Sequence, residues 1–386
     1  MSYANVTSHE KPISEPTFND GIMFSSGNNL VTYGGFYRNW DTSASGALQP
    51  NSSVSATRSF DISAGLWSAI NGLPGLVGGA GVSEPGRGKA WYLGGVLDRR
   101  TTQGMEGLLA VKGMLQFSGA SVKNLTTPLD GLLGAMMAFI PRVGKEGILV
   151  EIGGESYVPG IVNSRRGMVL PPVNPPYSPS ELSATENQAS MENVNIYDIS
   201  SGVWYNQITT GDPKATGGDV NGFPKPRMFG CVVAASAPDN SSHQIYMYGG
   251  SEKYYSDSLD EVWVLSLPMF RWTQVYGDQY GLYGHTCHLT GGRYMLAVGE
   301  YRGICTDLMD IYDVSELEWV NTYYPDKAYS VPAKIALIIG GTSQGNATVT
   351  SPEAGWAETL KHSFASEPPA SLPNPSPTHL PSPAAL

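Results

Sequence analysis

Apolar and polar residues alternate in short runs along most of the chain, and the runs recur as a unit. Residues 242–272 show it best. An alternating run closes on Gly249 and Gly250, a polar loop follows, a second run ends at Leu265, and Trp272 stands seven residues further on. The same seven-residue spacing separates Phe60 from Trp67 (FDISAGLW), Tyr197 from Trp204 (YDISSGVW) and Tyr312 from Trp319 (YDVSELEW). Gly34 and Gly35, Gly94 and Gly95, and Gly153 and Gly154 end equivalent apolar runs. Alternation of period two between Gly and Asn turns predicts strands. A recurring unit of this design predicts the four-stranded blade of a β-propeller.

Five such units can be laid out. The first begins at Gly21 with IMFSSG, LVTYGG, SATRSFDIS and LWSAI. The second runs through GAGVSE, KAWYLGG and LLAVKGMLQFS, but Asn124 stands where the outer Trp belongs. The third holds GAMMAFIP, GILVEIGG, MENVNIYDIS and VWYNQ, with a Pro- and Ser-rich insertion at residues 155–190 that reads as disordered. The fourth is PRMFGCVVAAS followed by the stretch at 242–272. In the fifth (GHTCHL, RYMLAVGE, LMDIYDVS, EWVNTYY), Glu300 replaces the second Gly, so its turn should differ. Residues 1–20 read as a polar segment, 21–330 as the propeller, 331–356 as a closing or capping segment with helical spacing after Pro332, and 357–386 as a disordered Pro-rich tail.

Composition narrows the partners. Gly 46 and Pro 28 suit many tight turns. With 34 acidic residues against 23 basic, the net charge of -11 argues against nucleic acid. No apolar run is long enough to span a membrane, and the start MSYANVTSHEKPISEP has neither the basic start nor the apolar centre of a signal peptide. Against a cytosolic reading stand the glycosylation acceptor patterns at Asn5, Asn51, Asn124, Asn240 and Asn346.

The repeat resembles kelch repeats. Through FGCVVAASAPDNSSHQIYMYGG, GHTCHLTGGRYMLAVGE and VPAKIALIIGGTSQGNATVTSPEAGW, residues 21–356 resemble the fungal cell-surface kelch proteins of the galactose oxidase-like propeller superfamily. The resemblance implies an all-β, kelch-type propeller. Its relatives are extracellular or membrane-anchored glycoproteins that carry a signal peptide and another blade at one end and a transmembrane helix at the other. The expectation is therefore a version truncated at both ends, an incomplete six- or seven-bladed ring. The outer faces of its first and last blades would leave Met23, Phe24, Met309 and Ile311 uncovered. The resemblance also implies that Trp67, Trp204, Trp272 and Trp319 wedge between neighbouring blades.

Candidate chemistry is sparse. A copper-radical site of the galactose oxidase kind would need converging His ligands. His9, His362 and His379 fall in expected tails, which leaves His243, His285 and His288, and on a strand His285 and His288 point to opposite faces. No catalytic residue, metal or cofactor is assigned. The loops after the Gly pairs gather Tyr37, Arg38, Trp40, Arg99, Arg100, Tyr157, Arg165, Arg166, Tyr254, Tyr255, Tyr301 and Arg302 on one face. Aromatic faces with Arg forks suit a protein or glycan partner. The alternative is that these arginines pair with Asp41, Asp98, Glu155 and Glu300 and tie the loops down. Cys287 and Cys305 fall at the same end of the fifth blade, as a disulfide or as two reduced thiols, and Cys231 reads as a free core residue. A non-enzymatic binding scaffold leads. A propeller enzyme (metal oxidase or sugar isomerase) and an intracellular kelch adaptor are the alternatives.

Overall fold

The computed structural model describes residues 17–19, 21–26, 28–38, 57–73, 75–97, 101, 109–119, 121–157, 188–252, 258–277, 281–299 and 309–365. They form five four-stranded antiparallel sheets, each an up-and-down meander in sequence order. Blade one is Ile22–Ser26, Asn29–Tyr33, Thr57–Asp61 and Leu66–Ile70. Blade two is Ala80–Glu84, Lys89–Leu93, Met114–Ser118 and Ser121–Leu125, and blade three is Met136–Ile140, Ile148–Ile152, Asn193–Asp198 and Val203–Ile208. Blade four is Cys231–Ser236, His243–Tyr248, Val262–Leu267 and Arg271–Tyr276, and blade five is Thr286–Thr290, Tyr294–Val298, Met309–Asp313 and Glu318–Val320. The first strand of each blade is innermost, and all five line one central channel.

The seven-residue spacing is a hairpin register. Phe60 faces Trp67, Tyr197 faces Trp204, Leu265 faces Trp272 and Tyr312 faces Trp319 across the third and fourth strands. The aromatic pairs meet with ring centroids 5.1, 5.1 and 5.0 Å apart in blades one, three and five. The Asp that follows the aromatic closes the turn. Asp61 accepts from the Ala64 N–H, Asp198 from those of Ser200 and Ser201, and Asp313 from those of Ser315 and Glu316. Local side-chain-to-backbone bonds of this kind stabilise a turn without help from distant residues. In blade two the hairpin is two residues shorter, with Ser118 opposite Ser121, so Phe117 faces Val122 and Asn124 is left on the exposed side.

Blades stack through hydrophobic cores. Phe24, Tyr33, Tyr92 and Phe117 join blades one and two, and Trp91, Met114, Met137 and Tyr197 join two and three. Met136, Val194, Met247 and Trp272 join three and four, and Tyr246, Val264, Met295 and Tyr312 join four and five. Trp272 donates from its indole nitrogen to the Met191 carbonyl of blade three (2.9 Å), and the Trp319 ring lies 4.8 Å from Tyr248 of blade four. Trp204 packs in the core between blades two and three. Each of these three therefore wedges against the preceding blade, whereas Trp67 is half-buried on Phe60. Among the described residues no such core joins blade five to blade one. Of the four side chains expected to be uncovered, Met23 is 48% exposed, but Phe24 is buried because its side of the strand packs on blade two, and Ile311 is buried as well.

Two segments differ from expectation. Thr17–Asn19, placed in a polar N-terminal segment, forms a short strand paired with Phe36–Arg38. Beyond the propeller, α1 (Ala333–Ile339) begins after Pro332 and stops at Gly340, which adopts φ 69 as a left-handed C-cap. Ile335 and Ile339 of α1 sit in the blade four and five core. The chain then crosses to the junction of blades three and four, where Leu360 is buried and Trp356 and Phe364 pack against Phe270 of blade four. A second short helix, α2 (Lys361–Ala365), falls in what reads as a disordered tail. It is held because the Ser363 hydroxyl donates to Asp198 Oδ2 (2.5 Å) and the Gly144 N–H donates to the Ser363 carbonyl.

Glu151 lies inside blade three with only the Asn195 amide donating to its Oε2 (2.7 Å). Burial, only partly opposed by that bond, pushes its pKa up to about 7. A folded-state value above the unfolded one means that the carboxyl's contribution is intact at acid pH and is lost as pH rises through about 7. The loss is on the order of 3 kcal/mol. Glu151→Gln should therefore match wild type in denaturant midpoint at pH 4, below the unfolded value of 4.5, and exceed it at pH 8.5. Parallel midpoints at both pH values would contradict this.

Candidate functional site

The face that carries the site is set by the Gly pairs. Each pair ends a second strand, and the N–H of its second glycine donates to the segment approaching the next blade: Gly35 to Leu76, Gly95 to Leu132, Gly154 to Arg227 and Gly250 to Leu282, at 2.7 to 2.8 Å. A Cβ on Gly34 would lie 2.0 Å from the Leu76 carbonyl oxygen, so only glycine permits this approach. Blade five has Gly299 at φ 86, and Glu300 lies outside the described residues. In blades one to three the chain continues past the pair as a two-stranded ribbon: Phe36–Arg38 with Thr17–Asn19, Val96–Leu97 with Leu109–Ala110, and Glu155–Tyr157 with Gly131–Leu133. The links between second and third strands therefore all leave from one face.

On that face a hydrogen-bonded chain rings the channel mouth. The Gly134 N–H donates to Gly78, Phe229 to Gly134 and Gly284 to Phe229, each 2.7 to 2.8 Å, one residue from each of blades two to five. All four have left-handed φ, and Phe229 is the non-glycine among them at φ 55. Its ring packs over Gly78 and Gly134 at the mouth. Below it the channel has a volume of about 520 Å³, and none of its described lining residues is a carboxylate, lysine or arginine. His288 Nε2 lies 3.2 Å from Thr286 Oγ1 in the wall, and the enclosing walls lower its pKa by desolvation.

His285 and His288 do not converge. His285 precedes the strand and is buried at the blade junction, edge-on to Tyr248 with centroids 5.1 Å apart and with Nε2 3.1 Å from Cys231 Sγ. His243 is buried elsewhere, bonded to Ser236, and burial lowers its pKa to about 4.

The cysteine pairing is a correction. Cys287 is bonded to Cys231, Cα to Cα 5.5 Å, and not to Cys305, which lies outside the described residues. Cys231 is therefore not a free core thiol. The two cysteines sit on inner strands of adjacent blades and point into the same junction, an arrangement invisible to a search within one blade.

Of the expected rim residues, Tyr37, Arg38 and Tyr157 lie on the ribbons beyond the Gly pairs. Trp40, Arg99, Arg100, Arg165, Arg166, Tyr254, Tyr255, Tyr301 and Arg302 lie outside the described residues, as do Asn5 and Asn51. Asn124 is exposed on the outer strand of blade two. Asn240, in the turn between the first two strands of blade four, adjoins Asn346, whose N–H donates to Asp239 Oδ2 (2.6 Å). That turn is at the end of the blade opposite the rim.

The sequence reading missed Arg227. Its guanidinium is fully buried, donating to the Gly249 and Lys225 carbonyls at 3.1 Å and to Glu261 Oε2 at 3.3 Å. Burial lowers its pKa, and Glu261 opposes that shift. The linear order shows only an Arg four residues before the strand and a Glu 34 positions later.

No protein-family model matches the chain. It is 28% identical over 417 residues to a kelch repeat-containing protein of Arthroderma benhamiae, in an alignment covering 87% of this chain and 55% of that relative. The chain thus spans about half the length of the relative it matches. The chain is thus similar to a kelch repeat-containing protein, and its own five four-stranded blades form a β-propeller.

Proposed function

We propose that this kelch-repeat propeller is a non-enzymatic binding scaffold that recognises a protein or glycan through its rim face, in a cell-surface or secretory setting. The observation that carries the reading is the convergence of the segments after the Gly pairs on one face, because the sequence puts Arg99, Arg100, Tyr254, Tyr255, Tyr301 and Arg302 into those segments. Rigid blades presenting variable loops are a common way to build a recognition surface. The described lining of the channel holds histidines but no carboxylate, lysine or arginine, so the Tyr- and Arg-bearing rim is the better-equipped surface. The acceptor positions support the same face: glycans on Asn124, Asn240 and Asn346 would project from the edge or the opposite end and leave the rim open. The Cys231–Cys287 bond suits an oxidising compartment.

Screening the full chain against a glycan panel and a library of displayed protein domains should yield a ligand. The Arg99→Ala/Arg100→Ala and Tyr254→Ala/Tyr255→Ala variants should bind it at least about 30-fold more weakly, the loss expected of central anchors, with melting unchanged. A ligand bound equally well by both variants, or lost only with His288→Ala in the channel, would overturn the rim reading.

A further inference from the structure

The junction of blades four and five holds a second chemical feature, independent of the rim. Cys231, Cys287 and His285 converge there, with their ligand atoms all within 4.8 Å of one another. Cys231 opens the inner strand of blade four, His285 precedes that of blade five, and Cys287 follows two residues on, so two sulfurs and one imidazole are delivered from two blades to one point. All three belong to the channel wall. Cys231 and His285 are buried, whereas Cys287 is half-buried and gives the group its opening to the channel. The imidazole is held in place: Tyr248 packs against it, and a Cβ on Gly249 would lie 2.8 Å from its Cε1. The Gly pair of blade four thus makes room for this ring.

We propose that this junction is a redox-gated site for a thiophilic metal ion of the Zn2+ type, bound by Cys231 Sγ, Cys287 Sγ and His285 Nε2. In the oxidised form the disulfide staples the two blades and no ligand set exists. A dithiol reductant transfers two electrons and two protons to the bond, becomes a disulfide itself, and leaves two thiols beside the imidazole. Zn2+ displaces the two thiol protons. A tetrahedral centre with sulfur at about 2.3 Å and nitrogen at about 2.0 Å needs sulfur and nitrogen roughly 3.5 Å apart. The present separation of Cys231 Sγ from His285 Nε2 is 3.1 Å, so parting the sulfurs brings the set close to that geometry. The fourth position would face the channel, open to water or to a ligand entering past Phe229.

The test uses the full chain carrying Cys305→Ser, so that only two cysteines remain. Thiol titration of the folded protein should find none before treatment with a phosphine reductant and two afterwards. After removal of the reductant, Co2+ should bind the reduced protein at one per chain, with thiolate charge-transfer absorption and the intense visible bands of a tetrahedral site, and Zn2+ should displace it. The oxidised protein should give no such spectrum. Cys287→Ser and Cys287→Ala should abolish the charge-transfer band. His285→Ala should weaken Co2+ binding by more than about tenfold, since even loss of an outer partner costs that much, while His288→Ala should leave it unchanged. Melting curves without metal show which variants remain folded, and the paired Cys287 substitutions protect against one of them failing. A disulfide that resists reduction in the folded protein overturns the proposal. So does a reduced wild type without the Co2+ spectrum, or a folded His285→Ala variant with undiminished binding.

Discussion

Trp272→Ala should lower the stability of the protein by about 3–5 kcal/mol, the range for emptying a large aromatic site in a packed core. The side chain is completely buried on the outer strand of blade four and lies in the core shared with blade three. Its loss opens a cavity between blades and also leaves the Met191 carbonyl without the indole N–H that now satisfies it at 2.9 Å. Trp67 supplies the internal comparison, because it occupies the same repeat position but is half-buried and stacks on Phe60. Trp67→Ala should cost less, about 0.5–1.5 kcal/mol for the aromatic pair on top of a modest loss of buried area. Denaturant midpoints of the two variants measure the difference directly. Equal destabilisation would show that junction packing is not what the repeated Trp provides. Retention of wild-type stability by Trp272→Ala with loss of ligand binding would turn a packing residue into a recognition residue.

Arg227→Met should cost a similar amount, about 3–5 kcal/mol, by a different route. Methionine fills much of the volume, so the damage is electrostatic: Glu261, 5% exposed, would lose the guanidinium that pairs with it 3.3 Å away. The Gly249 carbonyl would also lose its donor, and it belongs to the Gly pair that fixes the blade four junction. Adding Glu261→Leu to Arg227→Met removes the stranded carboxylate, and the double variant should recover most of the lost stability. If the double variant were as unstable as the single, the role of Arg227 would lie in its backbone carbonyl bonds and not in the ion pair. Because the Arg227 carbonyl accepts the Gly154 N–H, hydrogen exchange at Gly154 reports on the neighbouring junction in the same experiment.

The two predictions probe the same architectural fact. A propeller has no single centre, and its stability is distributed over junctions in which each blade completes its neighbour. Binding loops can then vary without disturbing the junctions. The Gly pairs show the separation physically: their N–H groups hold the blades together, and the residues immediately after them begin the rim.

What the sequence determined by itself was everything whose cause is local. Alternation of period two and the Gly and Asn turns define all five blades, and Pro332 with the apolar spacing after it pointed to α1. The aromatic-to-Trp spacing is the register of one hairpin, closed by an Asp a single residue away, so it survives in the linear order. Even the exception in blade two is local, since a hairpin shorter by two residues moves Phe117 from Asn124 to Val122. The tertiary structure decided what depends on neighbours in the ring. Cys287 pairs with Cys231, 56 positions away, and Arg227 meets Glu261, because successive strands bring distant residues to one junction. Phe24 is buried because its side of the inner strand meets blade two, which alternation alone does not reveal. The segment after the propeller follows the same rule: five residues too short to form a stable helix unaided become α2 where Ser363 reaches Asp198. Period and turn chemistry are written in adjacent residues, whereas a contact between blades is set by the angle at which one rigid sheet packs on the next, and no stretch of sequence contains that angle.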